Sequence, residues 1–227
     1  MIAVLTCAGR PGGVSYLDKT LSDIDSSATG SRVIVCDRCS AAPRKGWASI
    51  DVTARPAHAG DRENRWALWT ALRFAAEAEE DLIVVEDDVV FCKNGARHAE
   101  RLRVPSDVAF VSLFAPWGDM TMPLGLWRSR CHTFIYAQAL KFPLRTIREL
   151  VPTWRPDEDT HKGGSDDMLS LIGVKRNWLY AAHYPSIVQH VGAVSSVSSM
   201  PIVGCRASRA YRGDDFDAER LPLQMYD

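Results

Sequence analysis

Apolar and polar positions alternate between two patterns along this chain. Short apolar runs rich in β-branched residues lie at 2–7, 32–36, 82–85, 89–91, 108–113 and 133–137, and their length predicts strands. Between them, Tyr16, Leu17, Leu21 and Ile24, and then Leu68, Ala71, Leu72, Ala75 and Ala76, recur at the spacing of one helix face. Shorter helices are predicted at about 94–102, 143–150 and from Ser165 onward, with short strands near 48–52 and 177–181. Strands that alternate with helices predict an α/β domain, a Rossmann-like, mostly parallel sheet flanked by helices. The Gly-, Pro-, Met- and Trp-containing stretch 117–127 reads as an irregular cleft lining, and 154–164 as a polar loop. From Pro201 the apolar periodicity fades. We therefore expect a domain over 1–200 and an extended C-terminal segment over 201–227.

One interruption changes the picture. The apolar run Leu82-Ile83-Val84-Val85 stops at Glu86-Asp87-Asp88 and resumes at Val89-Val90-Phe91. Three adjacent acids repel one another and lose hydration at a core boundary, so they call for a cation. A hard divalent metal with oxygen ligands is the simplest one; a merely solvated strand end is the other reading. At the first strand, Gly9-Arg10-Pro11-Gly12-Gly13 forms a glycine loop before a helix, which either cradles a nucleotide with Arg10 at its phosphates or base, or is an ordinary turn. Asp37, at the tip of the second strand, either hydrogen-bonds a ribose or base edge or caps a turn. Arg62, Asn64 and Arg65 lie in the first turns of a helix that Asp61 can cap, where cations oppose the dipole; phosphate binding and simple exposure both fit.

Two later segments carry further candidates. Gly163-Gly164-Ser165-Asp166-Asp167 opens a helix, and a carboxylate fixed there is held as the anion, as a general base requires. Plain capping explains the same residues. His190, in the apolar run 184–192, is either a satisfied core histidine or a ligand.

Composition then narrows the field. At 227 residues with 46% hydrophobic and 24% charged residues, the chain can bury a substantial core. A formal net charge of -1 gives no global drive toward nucleic acid or membrane, although Arg97, His98, Arg101 and Arg103, and Arg206, Arg209 and Arg212, form local basic sets. No apolar run approaches the roughly 20 residues of a membrane span, so we expect no membrane span and a soluble, cytoplasmic protein. Six scattered cysteines, including a single CxxC at Cys36 and Cys39, read as reduced thiols.

The order of these features resembles the GT-A glycosyltransferases, which transfer sugars from nucleotide-sugar donors on a Rossmann-like sheet. Glu86-Asp87-Asp88 is similar to their DxD-type motif. The stretch Pro185-Ser186-Ile187-Val188-Gln189-His190-Val191-Gly192, followed by Ser195-Ser196, looks like the C-terminal motif of N-acetylglucosaminyltransferase IV-like inverting enzymes; the resemblance covers about 1–196. It implies a manganese or magnesium ion on Asp88 and His190. It also implies donor contacts from Glu86, Asp87, Arg10 and Asp37, which Arg65 would join from its helix start, and Asp167 as base with Asp166 its competitor. The donor would be a nucleoside-diphosphate sugar, UDP-linked. The acceptor would be a glycan or hydroxymethylated pyrimidine in phage DNA. A sugar nucleotidyltransferase or a non-catalytic nucleotide-binding module are the alternatives.

Overall fold

The computed structural model describes residues 1–7, 16–37, 44–52, 63–115, 123–131, 134, 137–154, 156, 164–192 and 207–223. Ten strands and five helices follow one another as β1 (Ile2–Cys7), α1 (Leu17–Asp25), β2 (Arg32–Asp37), β3 (Ala48–Val52), α2 (Glu63–Ala78), β4 (Leu82–Glu86), β5 (Val89–Phe91), α3 (Gly95–Arg101), β6 (Val108–Ser112), β7 (Gly125–Arg130), β8 (Ala139–Phe142), α4 (Leu144–Thr153), α5 (Ser165–Lys175), β9 (Leu179–Tyr184) and β10 (Val188–His190) among the described residues. Eight strands form one mixed sheet in the order β3-β2-β1-β4-β8-β6-β9-β7, and β5 and β10 form a separate two-stranded ribbon. The pairs β1–β2, β2–β3, β1–β4 and β6–β9 are parallel, whereas β8 runs antiparallel to both neighbours and β7 antiparallel to β9. The expected α/β class, a mostly parallel sheet flanked by helices, is the one observed.

Strand alternation explains why the central runs read as continuously apolar. Ile2, Val4, Ile83 and Val85 face Leu21 and Ile24 of α1, Ala96 and Ala99 of α3, and Ala218 and Leu221 near the C-terminus. Ala3, Leu5, Leu82 and Val84 face Leu68, Ala71, Leu72 and Ala75 of α2, Ile147 and Leu150 of α4, and Leu169 of α5. A sheet covered on both faces needs apolar residues at every position. The C-terminal ends of β1, β2, β3, β4, β6 and β9 share one edge, and the first residue of β8 sits there too, because β8 runs the other way.

Two strands differ from the sequence expectation. The run at 133–137 was expected as strand, but Phe134 and Ala137 lie outside any strand and the pairing begins at Ala139. Lys141 interrupts the apolar pattern of the real strand, β8. It is buried, and its ammonium donates to the carbonyls of Ala99 and Glu100 at 2.8 and 2.9 Å, satisfying the end of α3. Burial lowers its pKa to about 8, against the opposing pull of Asp81 and Glu100. The second difference is β7, which occupies part of the expected irregular stretch. It is an edge strand, buried only at Gly125 and Leu126 and carrying Arg128 and Arg130 beyond them, so it leaves no apolar run to detect.

The basic face expected on α3 is also different. His98 is 1% exposed, and its Nε2 lies 3.0 Å from Nε2 of His183, itself fully buried. The Pro185 carbonyl, 2.7 Å from His183 Nδ1, requires the proton there, so His183 Nε2 accepts and His98 Nε2–H donates. Both rings are therefore neutral. Burial, with Arg101 and Lys141 nearby, pushes His98 down to about 4, and burial with the His98 neighbour pushes His183 to about 3. The unfolded chain binds these protons first, so the stability that neutrality confers is complete above pH 6.5 and is lost as pH falls through 6.5 toward those values. Urea midpoints measured at pH 7 and pH 5 should show a loss of about 1–2 kcal/mol per histidine, and a shallower loss in His98→Gln.

The segment 207–223 packs back onto the domain. The Gln189 side chain pairs with Ser208 as a strand would, accepting its N–H at 2.8 Å and donating to its carbonyl at 3.3 Å. Lys93 N–H donates to Asp214 O, and Ala218 N–H to Lys93 O, at 2.8 and 2.9 Å.

Candidate functional site

At the C-terminal edge of the sheet, β4 delivers Glu86 and the chain turns through Asp87 and Asp88 into β5. Backbone bonds fix this turn from three sides. Glu86 N–H donates to Gln138 O at 2.8 Å, Asp87 N–H to Leu5 O at 3.0 Å, and Val191 N–H to Asp88 O at 2.9 Å. The buried Thr20 hydroxyl, 2.8 and 2.7 Å from the carbonyls of Asp87 and Val89, shares its single proton between them. Because β5 pairs antiparallel with β10, with Val89 opposite His190, the imidazole is carried to the acidic turn. His190 Nε2 lies 3.2 Å from Asp88 Oδ2.

Glu86, Asp88 and His190 each present one ligand atom, and these atoms all lie within 4.8 Å of one another. Asp88 is 4% exposed and His190 9%. Asp87 takes a different direction: its Oδ2 accepts the Thr6 hydroxyl at 2.6 Å, and its side chain is buried. Two carboxylates and an imidazole suit a hard or borderline divalent cation, and three protein ligands leave coordination positions for a substrate. Gly192 makes room for the Asp88 carboxylate. A Cβ there would fall 2.2 Å from Asp88 Oδ2, closer than any van der Waals contact permits. The residues present thus fit such an ion. Gly192→Ala should displace Asp88 and weaken manganese binding by about 10-fold or more, in line with the cost of disturbing a ligand's support, as read by calorimetric titration.

The other sequence candidates lie as follows. Arg65 is 1% exposed in the first turns of α2; α2 feeds directly into β4 from the opposite edge, so its start lies toward the acidic turn. Asp166 and Asp167 occupy the first turn of α5, which likewise precedes β9 and starts toward the same edge. Asp167 Oδ2 accepts the Gly164 N–H, and Asp166 Oδ1 accepts the Asp167 N–H, each at 3.0 Å. Asp167 is exposed and Asp166 partly so. Arg10, Arg62, Arg206, Ser195 and Ser196 lie outside the described residues, as does the Asp37 side chain, although β2 ends at that residue beside Cys7. Thr6, Thr20 and Gln138 gave no signal in the sequence. An isolated threonine or glutamine at a strand end has no pattern to distinguish it until the sheet order places it beside the acids.

No protein-family model matches this chain, and no curated protein matches its sequence. Among solved structures, the galactosyltransferase LgtC, crystallised with donor and acceptor sugar analogues, is similar over 76% of this chain and 70% of its own, at 13% identity and a TM-score of 0.46. A likeness that distant assigns no residue a role.

Proposed function

We propose that this chain is a GT-A-type glycosyltransferase that moves a sugar from a UDP-linked donor to an acceptor hydroxyl. The observation that carries this reading is the convergence of Glu86, Asp88 and His190 at the C-terminal edge of an α/β sheet, the edge at which such sheets bind ligands. Manganese or magnesium held by these three residues would supply positive charge to offset that of the departing diphosphate. Arg65 would bind the donor from the start of α2, with Arg10 and Asp37 as further donor contacts and Asp87 bracing the turn through Thr6.

Asp167 is the general base. Its exposed carboxylate is held in the first turn of α5 by the Gly164 N–H, which donates to one oxygen and leaves the other for the acceptor. It takes the proton of the acceptor hydroxyl as that oxygen bonds to the anomeric carbon; the bond to the diphosphate oxygen breaks on the opposite face, and its electron pair leaves with UDP. One displacement inverts the anomeric configuration. A glycan acceptor is favoured over duplex DNA. Arg97 is engaged by Glu219 at 3.1 Å and by the Ser27 carbonyl, and Arg101 and Arg103 follow α3 toward the opposite edge of the sheet, where β6 begins.

The test is product analysis of nucleotide sugars incubated with the protein and manganese. Release of UDP is expected; pyrophosphate released instead in a parallel reaction supplied with UTP and sugar 1-phosphates would indicate nucleotidyl transfer, and binding without either product a non-catalytic module.

A further inference from the structure

Gln138 stands immediately before β8 and directly across from the site. The antiparallel register pairs Val85 with Ala139, so the next pair is Glu86 with Gln138, joined by the Glu86 N–H bond to the Gln138 carbonyl. Directly opposed residues of an antiparallel pair project to the same face. Leu140 and Phe142, two and four residues on, lie in the cluster with α2, α4 and α5, which places the Gln138 side chain on that face as well, beside Glu86 and beneath the helix that carries Arg65.

The glutamine is 3% exposed, yet its side-chain oxygen has no hydrogen-bond partner among the described residues. A buried acceptor left unmade costs stability, and native proteins rarely keep one without a use. The chemistry of a ligand that would satisfy it is constrained. The unpartnered atom is a carbonyl oxygen, which needs a donor, and a phosphate offers none. A buried acceptor beside the metal-ligating turn matches a ligand that presents a hydroxyl donor there, which is the character of a sugar ring and not of a diphosphate.

We propose that Gln138 accepts a hydrogen bond from a hydroxyl of the transferred sugar and helps to select the donor sugar. This rests on the glycosyltransferase reading above. A pocket that hydrogen-bonds a hydroxyl discriminates strongly against a ligand lacking it, because the pocket's own polar group is then left unpaired.

The experiment is calorimetric titration, with manganese present, of UDP, UDP-glucose, UDP-galactose and UDP-N-acetylglucosamine into wild type and Gln138→Met, a variant of similar volume with no oxygen acceptor. Gln138→Met is expected to bind the preferred UDP-sugar about 10-fold more weakly while its affinity for UDP stays within about twofold. Monodeoxy analogues of that sugar complete a cycle: the analogue lacking the contacted hydroxyl should bind wild type and variant alike. Without ligand the variant should be at least as resistant to urea as wild type; Gln138→Leu replaces it if it does not fold. Equal weakening of UDP and UDP-sugar, or unchanged affinity for both, would overturn the assignment and leave the transferase reading standing. A wild-type protein that binds none of the four nucleotides would overturn both.

Discussion

Replacing Asp88 with alanine is expected to remove manganese-dependent binding of the donor, with manganese affinity falling by about 100-fold or more. Loss of a residue that merely supports a metal ligand costs about 10- to 100-fold, and Asp88 is placed to be a ligand itself. It is also the member of the trio in contact with His190, at 3.2 Å, so its removal leaves the imidazole without that contact. The corresponding change at Asp87 should behave differently. Asp87 accepts the Thr6 hydroxyl and braces the turn, so Asp87→Asn should alter stability more than manganese affinity. Calorimetric titration of manganese, followed by UDP, separates the two cases. Full manganese affinity in Asp88→Ala would remove the metal from this turn.

Asp167→Asn is expected to leave donor binding within about threefold while lowering transfer by about 100- to 10,000-fold, the contribution usual for a general base. Asparagine keeps the shape and retains a carbonyl oxygen to accept the Gly164 N–H, so the first turn of α5 survives; only the capacity to take a proton is lost. Asp166→Asn is the parallel measurement. Each carboxylate gives one oxygen to a backbone N–H, but Asp167 is the more exposed of the two, and the Asp166 variant should retain most activity. Inactivity of Asp166→Asn alone would move the base by one residue. Near-full transfer by both variants would show that the base lies elsewhere.

Much of the fold could be read from the chain because β1, β2, β4 and β6 are covered on both faces and so appear as unbroken apolar runs. The helix α2 was equally legible, since Leu68, Ala71, Leu72 and Ala75 all point into one core. What escaped was polar structure with a tertiary cause. Lys141 sits in the middle of β8 because the end of α3 needs donors, and His98 is buried because His183 and the Pro185 carbonyl define its partner. Neither reason exists within the local sequence. The acidic turn shows the same division. Three adjacent acids advertise a site, but which of them gather with His190 depends on how Leu5, Thr6, Gln138 and Val191 hold the turn. Glu86, expected as a donor contact, lies in the cluster, and Asp87, expected in the same role, accepts the Thr6 hydroxyl instead. Arg10 and the side chain of Asp37, expected at the donor, fall outside the described residues.

The most direct measurement is a crystal grown with UDP and manganese, examined by anomalous scattering at the manganese edge. One strong peak is expected within about 2.0–2.6 Å of carboxylate oxygens of Glu86 and Asp88 and of His190 Nε2, the range of such metal bonds, with UDP phosphate oxygens completing the coordination. UDP bound at this sheet edge with no peak between those three side chains, or manganese seated on other residues, would contradict it.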